Sequence, residues 1–270
     1  MTKDLGATVA IVGSGSMGSA IARGLVVSGA LAPASSFCQD VVPGALAPLS
    51  ELGINTTCDA GELMAKGTDV TVLCVKPQVL REVVAPLADA LAGRLVVSIA
   101  AGVTLATLEE LLPQSRVVRV MPNLPIQVLS GATAVCAGSR ATTDDTELVR
   151  RLFAALGSAQ VMREDQLDAE GAVVSCGPAY IALFIDALTR AGVKAGLPAA
   201  ACREMVEATM MGVAKTLLES GEHPRAYMER VTSPGGTTAA GLYEMEPLVM
   251  EAAYAACDAA LERTRELAKG

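Results

Sequence analysis

Six residues near the start of the chain, Gly13-Ser14-Gly15-Ser16-Met17-Gly18, have the types and spacing needed to hold a pyrophosphate. They follow a continuous apolar run, Thr8–Val12, which reads as a buried parallel strand. Behind them Met17, Ala20, Ile21, Gly24 and Leu25 fall on one helical face. In that setting Gly13 lets the chain turn as it leaves Val12, Gly15 lets the backbone approach a phosphate, and Gly18 lets helix and strand pack closely. The helix start offers unpaired N–H groups and a partial positive charge. The chemistry expected of such a turn is hydride transfer with a nicotinamide dinucleotide. Asp40, directly after Gln39 at the end of a second strand, is spaced to hydrogen-bond a ribose 2′-hydroxyl. No Arg or Lys follows nearby to meet a 2′-phosphate, which tilts the cofactor toward NADH.

The elements that must position this turn alternate along the first two-thirds of the chain. Strands are expected at Thr8–Val12, Ser35–Gln39, Asp69–Val75, Leu95–Ile99, Arg116–Met121 and Ala132–Cys136, with helices at Gln78–Ala92, Thr104–Leu112 and Thr143–Leu156. Pro43 and Pro48 interrupt a helix reading of Val41–Leu52. The alternation implies an α/β fold, a Rossmann-type doubly wound parallel sheet covered on both faces. From about Asp165 the strand-like runs stop, and helical patterns rich in Ala and Met continue through Lys269. The expected division is a dinucleotide-binding domain over 1–164 and an all-helical domain over 165–270. The helical part is apolar nearly all round, so it must pack on the first domain or interlock with a second copy. Interlocking, and hence an obligate homo-oligomer, is the expectation.

Composition narrows the partners. A net charge of −8 argues against nucleic acid or an anionic membrane and requires a local device to capture an anionic substrate. Aromatics make up 3% of the chain and Trp is absent, which weakens base stacking. Seven scattered cysteines with no C-x-x-C pair, and His223 as the single histidine, make a metal site improbable. They read as reduced thiols in a cytoplasmic protein. No signal peptide is read at the start, and no apolar run is expected to span a membrane.

Later stretches are more specific. Cys74-Val75-Lys76-Pro77 closes a strand, and Val97-Ser98-Ile99-Ala100-Ala101-Gly102-Val103-Thr104 closes another. Arg119-Val120-Met121-Pro122-Asn123-Leu124-Pro125, Gly177-Pro178-Ala179-Tyr180 and Gly221-Glu222-His223-Pro224 follow in order, ending in Thr232-Ser233-Pro234-Gly235-Gly236-Thr237-Thr238. Over essentially its whole length the chain resembles the pyrroline-5-carboxylate reductases, and the S-P-G-G-T-T stretch carries most of the resemblance.

The resemblance implies a Rossmann domain followed by a helical dimerisation domain, with each active site drawing on both subunits. It implies NAD(P)H-dependent reduction of the cyclic imine Δ1-pyrroline-5-carboxylate to L-proline, the last step of proline biosynthesis. It implies that Thr238 hydrogen-bonds the ring nitrogen, as a positioner or relay, and that Ala100, Ala101, Gly102 and Asn123 line the nicotinamide side. Lys76 then shapes the loop edging the cofactor. The residues agree with this chemistry. Ser233-Pro234-Gly235-Gly236 reads as a turn opening a helix near Thr237, and its glycines permit a nest of N–H groups for a carboxylate. Plainer roles stay open: N-capping for Thr237 and Thr238, a turn for Asn123, and, for His223, a cap or loop anchor as against an acid–base group. Either Glu222 or Glu219 could approach the substrate amine, or both could be solvated surface carboxylates.

The chain departs from the family pattern at several places. Leu124 stands where threonine is usual, Cys176 where serine is usual, Gly61 where an asparagine often stands, and Ser16 where asparagine is common. Together with Asp40 these leave NADH against NADPH open, and Leu124 and Cys176 leave room for a reductase of another cyclic imine. A β-hydroxyacid-type dehydrogenase shares the architecture but leaves S-P-G-G-T-T unexplained. The non-enzyme alternative is a dinucleotide-binding regulatory protein.

Overall fold

The computed structural model describes residues 4–267. Its sheet has eight strands: β1 Val9–Val12, β2 Ser36–Gln39, β3 Asn55–Thr57, β4 Val70–Leu73, β5 Leu95–Ser98, β6 Arg116–Pro122, β7 Gly131–Ala137 and β8 Gly157–Val161. The order is β3-β2-β1-β4-β5-β6-β7-β8, so the winding reverses between β1 and β4. Open α/β sheets bind ligands beyond the carboxyl ends of the strands at such a reversal, and the glycine turn leaves β1 there. Helices α1 Ser16–Val27, α2 Pro43–Ser50, α3 Ala60–Ala65, α4 Pro77–Val84, α5 Leu105–Leu111 and α6 Thr143–Ala154 connect the strands. Val9 and Ile11 enter one core with Ile21, Leu25, Phe153 and Leu156, while Ala10 and Val12 enter the opposite core with Leu80, Leu105 and Leu108. That period of two is how a strand serves a sheet covered on both faces.

Four expectations need correction. The sheet is not wholly parallel, because β7 runs antiparallel to β6. Residues 123–130 are all that joins them, and a parallel crossover needs a dozen residues or more. The helix expected over Gln78–Ala92 stops at Val84 and passes into a 3-10 turn, Ala85–Leu87, because Pro86 lacks the N–H that would continue it. Pro43 and Pro48 do not prevent a helix: Pro43 occupies its first turn, where no N–H is needed, and Pro48 lies inside it. Strands β3 and β8 were not expected at all. Both are sheet edges, with residues open to water and no apolar run to betray them.

Two compact units divide the chain; one runs to Ser175 and takes in residues from Leu261 onward, and the other is Cys176–Ala260. Helix α7 Glu164–Glu170 belongs to the first, with Leu167 fully buried in its core. The second unit is helical, as expected, and comprises α8 Gly177–Lys194, α9 Ala199–Ser220, α10 Pro224–Arg230 and most of α11 Thr237–Leu267. Helices α8 and α9 approach closely where a Cβ at Gly192 would lie 2.4 Å from the Cys202 sulfur. Cys202 is the single buried side chain of this unit among the described residues. Leu183, Met211, Leu218 and Tyr243 are 68–83% exposed. By length and composition one stretch, Glu164–Lys194, could cross a membrane: an 18-residue window has a mean hydropathy of 1.6. Six per cent of that window is buried within the chain.

Candidate active site

The glycine turn is built by backbone contacts that exclude larger residues at two of its three glycines. Gly13 has φ +91°, and its N–H donates to the Gln39 carbonyl at 2.8 Å. A Cβ on Gly18 would sit 1.9 Å from the Gly13 carbonyl oxygen and 3.1 Å from the Cys74 Cβ, so the helix can start here only without one. A Cβ on Gly15 would meet nothing within 4 Å, which leaves its face open. Gly15 is the N-cap of α1, and no side chain caps the first turn. Its leading amides are therefore unsatisfied within the helix and aimed outward with the positive end of the dipole. An open cradle lined by amides fits a dinucleotide pyrophosphate, so Val12 to Gly18 are suited to hold one.

Neighbouring strand ends complete the rim. Ser14 is buried, its hydroxyl donating to the Gln39 carbonyl at 3.2 Å and its N–H to Asp40 Oδ2 at 2.7 Å. Asp40 Oδ1 accepts from Val42 N at 2.9 Å, so the carboxylate braces the turn from the β2 side. Gln39 Nε2 donates to the Cys58 carbonyl. On the β4 side Cys74 N donates to the Val12 carbonyl at 2.8 Å, and Cys74 and Val75 lie against Gly13. Lys76 is exposed as the N-cap of α4, with Pro77 opening that helix. Burial pushes the Cys38 thiol up to about 12 and raises the Cys74 thiol further, so neither supplies a thiolate near the turn.

Farther along the same edge of the sheet, Ala100 is buried while Ala101 and Gly102 are exposed in the turn after β5, with Gly102 at φ +76°. Asn123 follows β6 with both ends of its amide engaged. Oδ1 accepts from Ala132 N at 2.8 Å and Nδ2 donates to the Val174 carbonyl at 3.2 Å. Its side chain therefore staples the β6–β7 connection to the segment after α7.

In the helical unit Ser233–Gly236 forms a turn closed by Gly236 N donating to the Ser233 carbonyl at 3.0 Å, with Gly235 at φ +72°. Thr237 starts α11, and Thr237 and Thr238 are exposed. Neither hydroxyl has a partner among the described residues, so neither caps the helix. Glu222 is held by Arg230, whose Nη2 donates to Oε2 at 2.8 Å, and Glu219 pairs with Lys215 at 3.8 Å. His223 caps α10, its Nδ1 accepting from Arg225 N at 3.2 Å, in line with the plainer of its two readings.

Residues 164–267 match the pyrroline-5-carboxylate reductase dimerisation family, and residues 8–102 match a family described as NADP oxidoreductase, coenzyme F420-dependent. A pyrroline-5-carboxylate reductase of Arabidopsis thaliana is 38% identical over 97% of this chain and 95% of its own length. The chain belongs to the pyrroline-5-carboxylate reductase family. The structure of a reductase of this family from Coxiella burnetii superposes with a TM-score of 0.92 at 33% identity, covering 97% of this chain and 98% of that one. The Plasmodium falciparum enzyme, solved with NADP bound, gives a TM-score of 0.85 at 28% identity, covering 98% and 99%.

Against that family pattern, Gly61 leaves the cap of α3 to Asp59, whose Oδ1 accepts from the N–H groups of Gly61 and Glu62. One buried group was missed in the sequence. Glu170, at the end of α7, is 7% exposed; Ser175 donates to its Oε2 at 3.2 Å, and Oε1 has no partner among the described residues. Desolvation pushes its carboxyl up from 4.5 to about 7. A glutamate amid the polar residues of Glu164-Asp165-Gln166 and Asp168 gives no sign in sequence that it turns inward.

Proposed function

We propose that the chain reduces Δ1-pyrroline-5-carboxylate to L-proline with NAD(P)H, as the final step of proline biosynthesis. The family membership of both halves carries this reading, joined to the Ser233–Thr238 turn with its unengaged threonine hydroxyls. Bound NAD(P)H supplies the hydride. Val12, Gly13, Ser14, Gly15, Ser16, Met17 and Gly18 hold the pyrophosphate, and Gln39, Asp40 and Cys74 to Pro77 edge it. Ala100, Ala101, Gly102 and Asn123 line the nicotinamide, Asn123 through the shape it imposes, since its amide is engaged. The Ser233, Gly235 and Gly236 backbone with Thr237 receives the substrate carboxylate, which answers the −8 net charge with a local anion site. Thr238 hydrogen-bonds the ring nitrogen and orients the imine carbon toward the hydride. A threonine hydroxyl is a weak acid, so its role is positioning and relay. Glu222, tied to Arg230, serves the substrate site through that ion pair.

An assay following NAD(P)H oxidation with pyrroline-5-carboxylate tests this. Turnover is expected, with Thr238→Ala lowering kcat/KM about 10²-fold while NAD(P)H affinity holds, a loss of roughly 3 kcal/mol of transition-state stabilisation. Absence of turnover on that imine overturns the function, and full kcat/KM in the variant overturns the role of Thr238.

Among the two cofactors the Asp40 carboxylate favours NADH. It sits against the pyrophosphate turn through Ser14, and no Lys or Arg lies between it and Lys66 to neutralise a 2′-phosphate. Asp40→Asn is expected to raise the ratio of kcat/KM for NADPH over NADH by about tenfold, some 1.4 kcal/mol. Strong NADPH preference in the unaltered protein would sink this assignment.

We assign residues 1–164 to dinucleotide binding and 165–270 to substrate binding and dimerisation, with residues 165–175 packing in the first compact unit. The exposed apolar faces of α8, α9 and α11 are then covered by a second copy of the chain, making the enzyme an obligate homo-oligomer. With seven free cysteines, we assign it to the cytoplasm.

A further inference from the structure

Residues 99–104 hand β5 to α5 by way of the exposed Ala101 and Gly102, and little of their own structure holds them. A Cβ on Gly102 would meet nothing within 4 Å. The two bonds inside the turn are long, Ala100 N to Ser98 Oγ at 3.3 Å and Val103 N to the Ala100 carbonyl at 3.4 Å. The short bond comes just after it. Leu105 N, the first amide of α5, donates to Glu164 Oε1 at 2.6 Å across 59 positions of sequence.

That same oxygen receives Arg119 Nη1 at 3.0 Å. Arg119 lies in β6 in register with Ser98 of β5 and Cys136 of β7, and its side chain is only 4% exposed. Its Nε has no partner among the described residues. A guanidinium buried this deeply is costly without a carboxylate, and a carboxylate so held cannot drift from the amide it also binds. The ion pair therefore fixes a rigid acceptor from α7 under the start of α5. None of the bonds that build the pyrophosphate turn, Ser14 to Asp40, Gly13 to Gln39 and Cys74 to Val12, involves these groups.

We propose that Glu164, held by Arg119, is a positioning residue for the nicotinamide end of the cofactor, setting the Ala100–Gly102 turn by anchoring the amide that follows it. This rests on the assignment of that turn to the nicotinamide. The expected signature is selective: nicotinamide-bearing ligands weaken while the rest of the dinucleotide binds as before.

Affinities of NAD+ against ADP-ribose, and of NADP+ against 2′-phospho-ADP-ribose, separate the two ends in the full-length protein. Glu164→Ala is expected to weaken the complete dinucleotides about tenfold and lower kcat, leaving the nicotinamide-free ligands within twofold. Glu164→Asp keeps a carboxylate for Arg119 but draws the acceptor back from Leu105 N, and is expected to show the same selective loss in smaller measure. Equal weakening of both ligand classes, or none, overturns the proposal, and the aspartate variant decides the matter if the alanine variant fails to fold. Ala101→Leu tests the underlying assignment separately. If the leucine variant discriminates between the ligand classes and Glu164→Ala does not, the turn lines the nicotinamide but Glu164 does not position it. If the leucine variant shows no discrimination, the assignment and the proposal fall together.

Discussion

Gly18→Ala is expected to cost the protein its dinucleotide, raising the Kd for NAD(P)H at least about 100-fold, near 3 kcal/mol. The added methyl would lie 1.9 Å from the Gly13 carbonyl oxygen, an atom of the turn itself, so helix and turn must separate and carry the leading amides of α1 with them. The displaced backbone is also the floor under Cys74, so thermal stability should fall as well. Gly15→Ala makes the informative comparison. In the free protein its methyl meets nothing within 4 Å, so Tm should hold while affinity falls, because the space it fills is the space a pyrophosphate needs. Calorimetry of unfolding, with titration of NADH and NADPH, reads both. Wild-type affinity in Gly18→Ala would remove the turn from the binding site.

The second large effect concerns stability and pH. The folded chain keeps a proton on Glu170 up to about pH 7, whereas the unfolded chain releases it near 4.5. Between those values the native state binds more protons than the unfolded state, so stability falls as pH rises through the window and stays lowered above it. The difference is at most about 3 kcal/mol, several degrees in Tm for a chain of this length. Glu170→Gln keeps an acceptor for Ser175 and removes the charge. It should be the more stable protein at pH 8, equal to or slightly below the wild type at pH 5, and flatter between. Melting curves at fixed protein concentration across pH 5–8 measure this, and an unchanged slope would show that Glu170 is not the buried titrating group.

Much of the dinucleotide unit was legible because its signals are local. Strand β1 is buried on both faces and so is apolar throughout, α1 carries its stripe, and the glycines between them answer a steric demand that arises within a few residues. The S-P-G-G-T-T turn is local in the same way, and it opens α11 where the sequence places it. The edges of the sheet were not legible. β3 and β8 each pair on one side only, with the strand just before them, and face water, so their composition carries no period. The direction of β7 depended on the length of a connection rather than on any residue in the strand.

By itself, then, the sequence determined the order of the elements, the glycine turn, the substrate-turn candidate and the family resemblance, all consequences of short-range sterics and residue type. Tertiary structure decided what each polar side chain is for. It turned Asp40 onto Ser14, spent both ends of Asn123 on its neighbours, closed Glu222 onto Arg230 and left the hydroxyls of Thr237 and Thr238 without a partner among the described residues. It also buried Arg119 against Glu164 and turned Glu170 inward with only Ser175 donating to it among the described residues. A carboxylate or amide has the same letters whether it meets water, a backbone amide or a guanidinium. Only the fold, by bringing residues as far apart as Leu105 and Glu164 within hydrogen-bonding distance, selects among them.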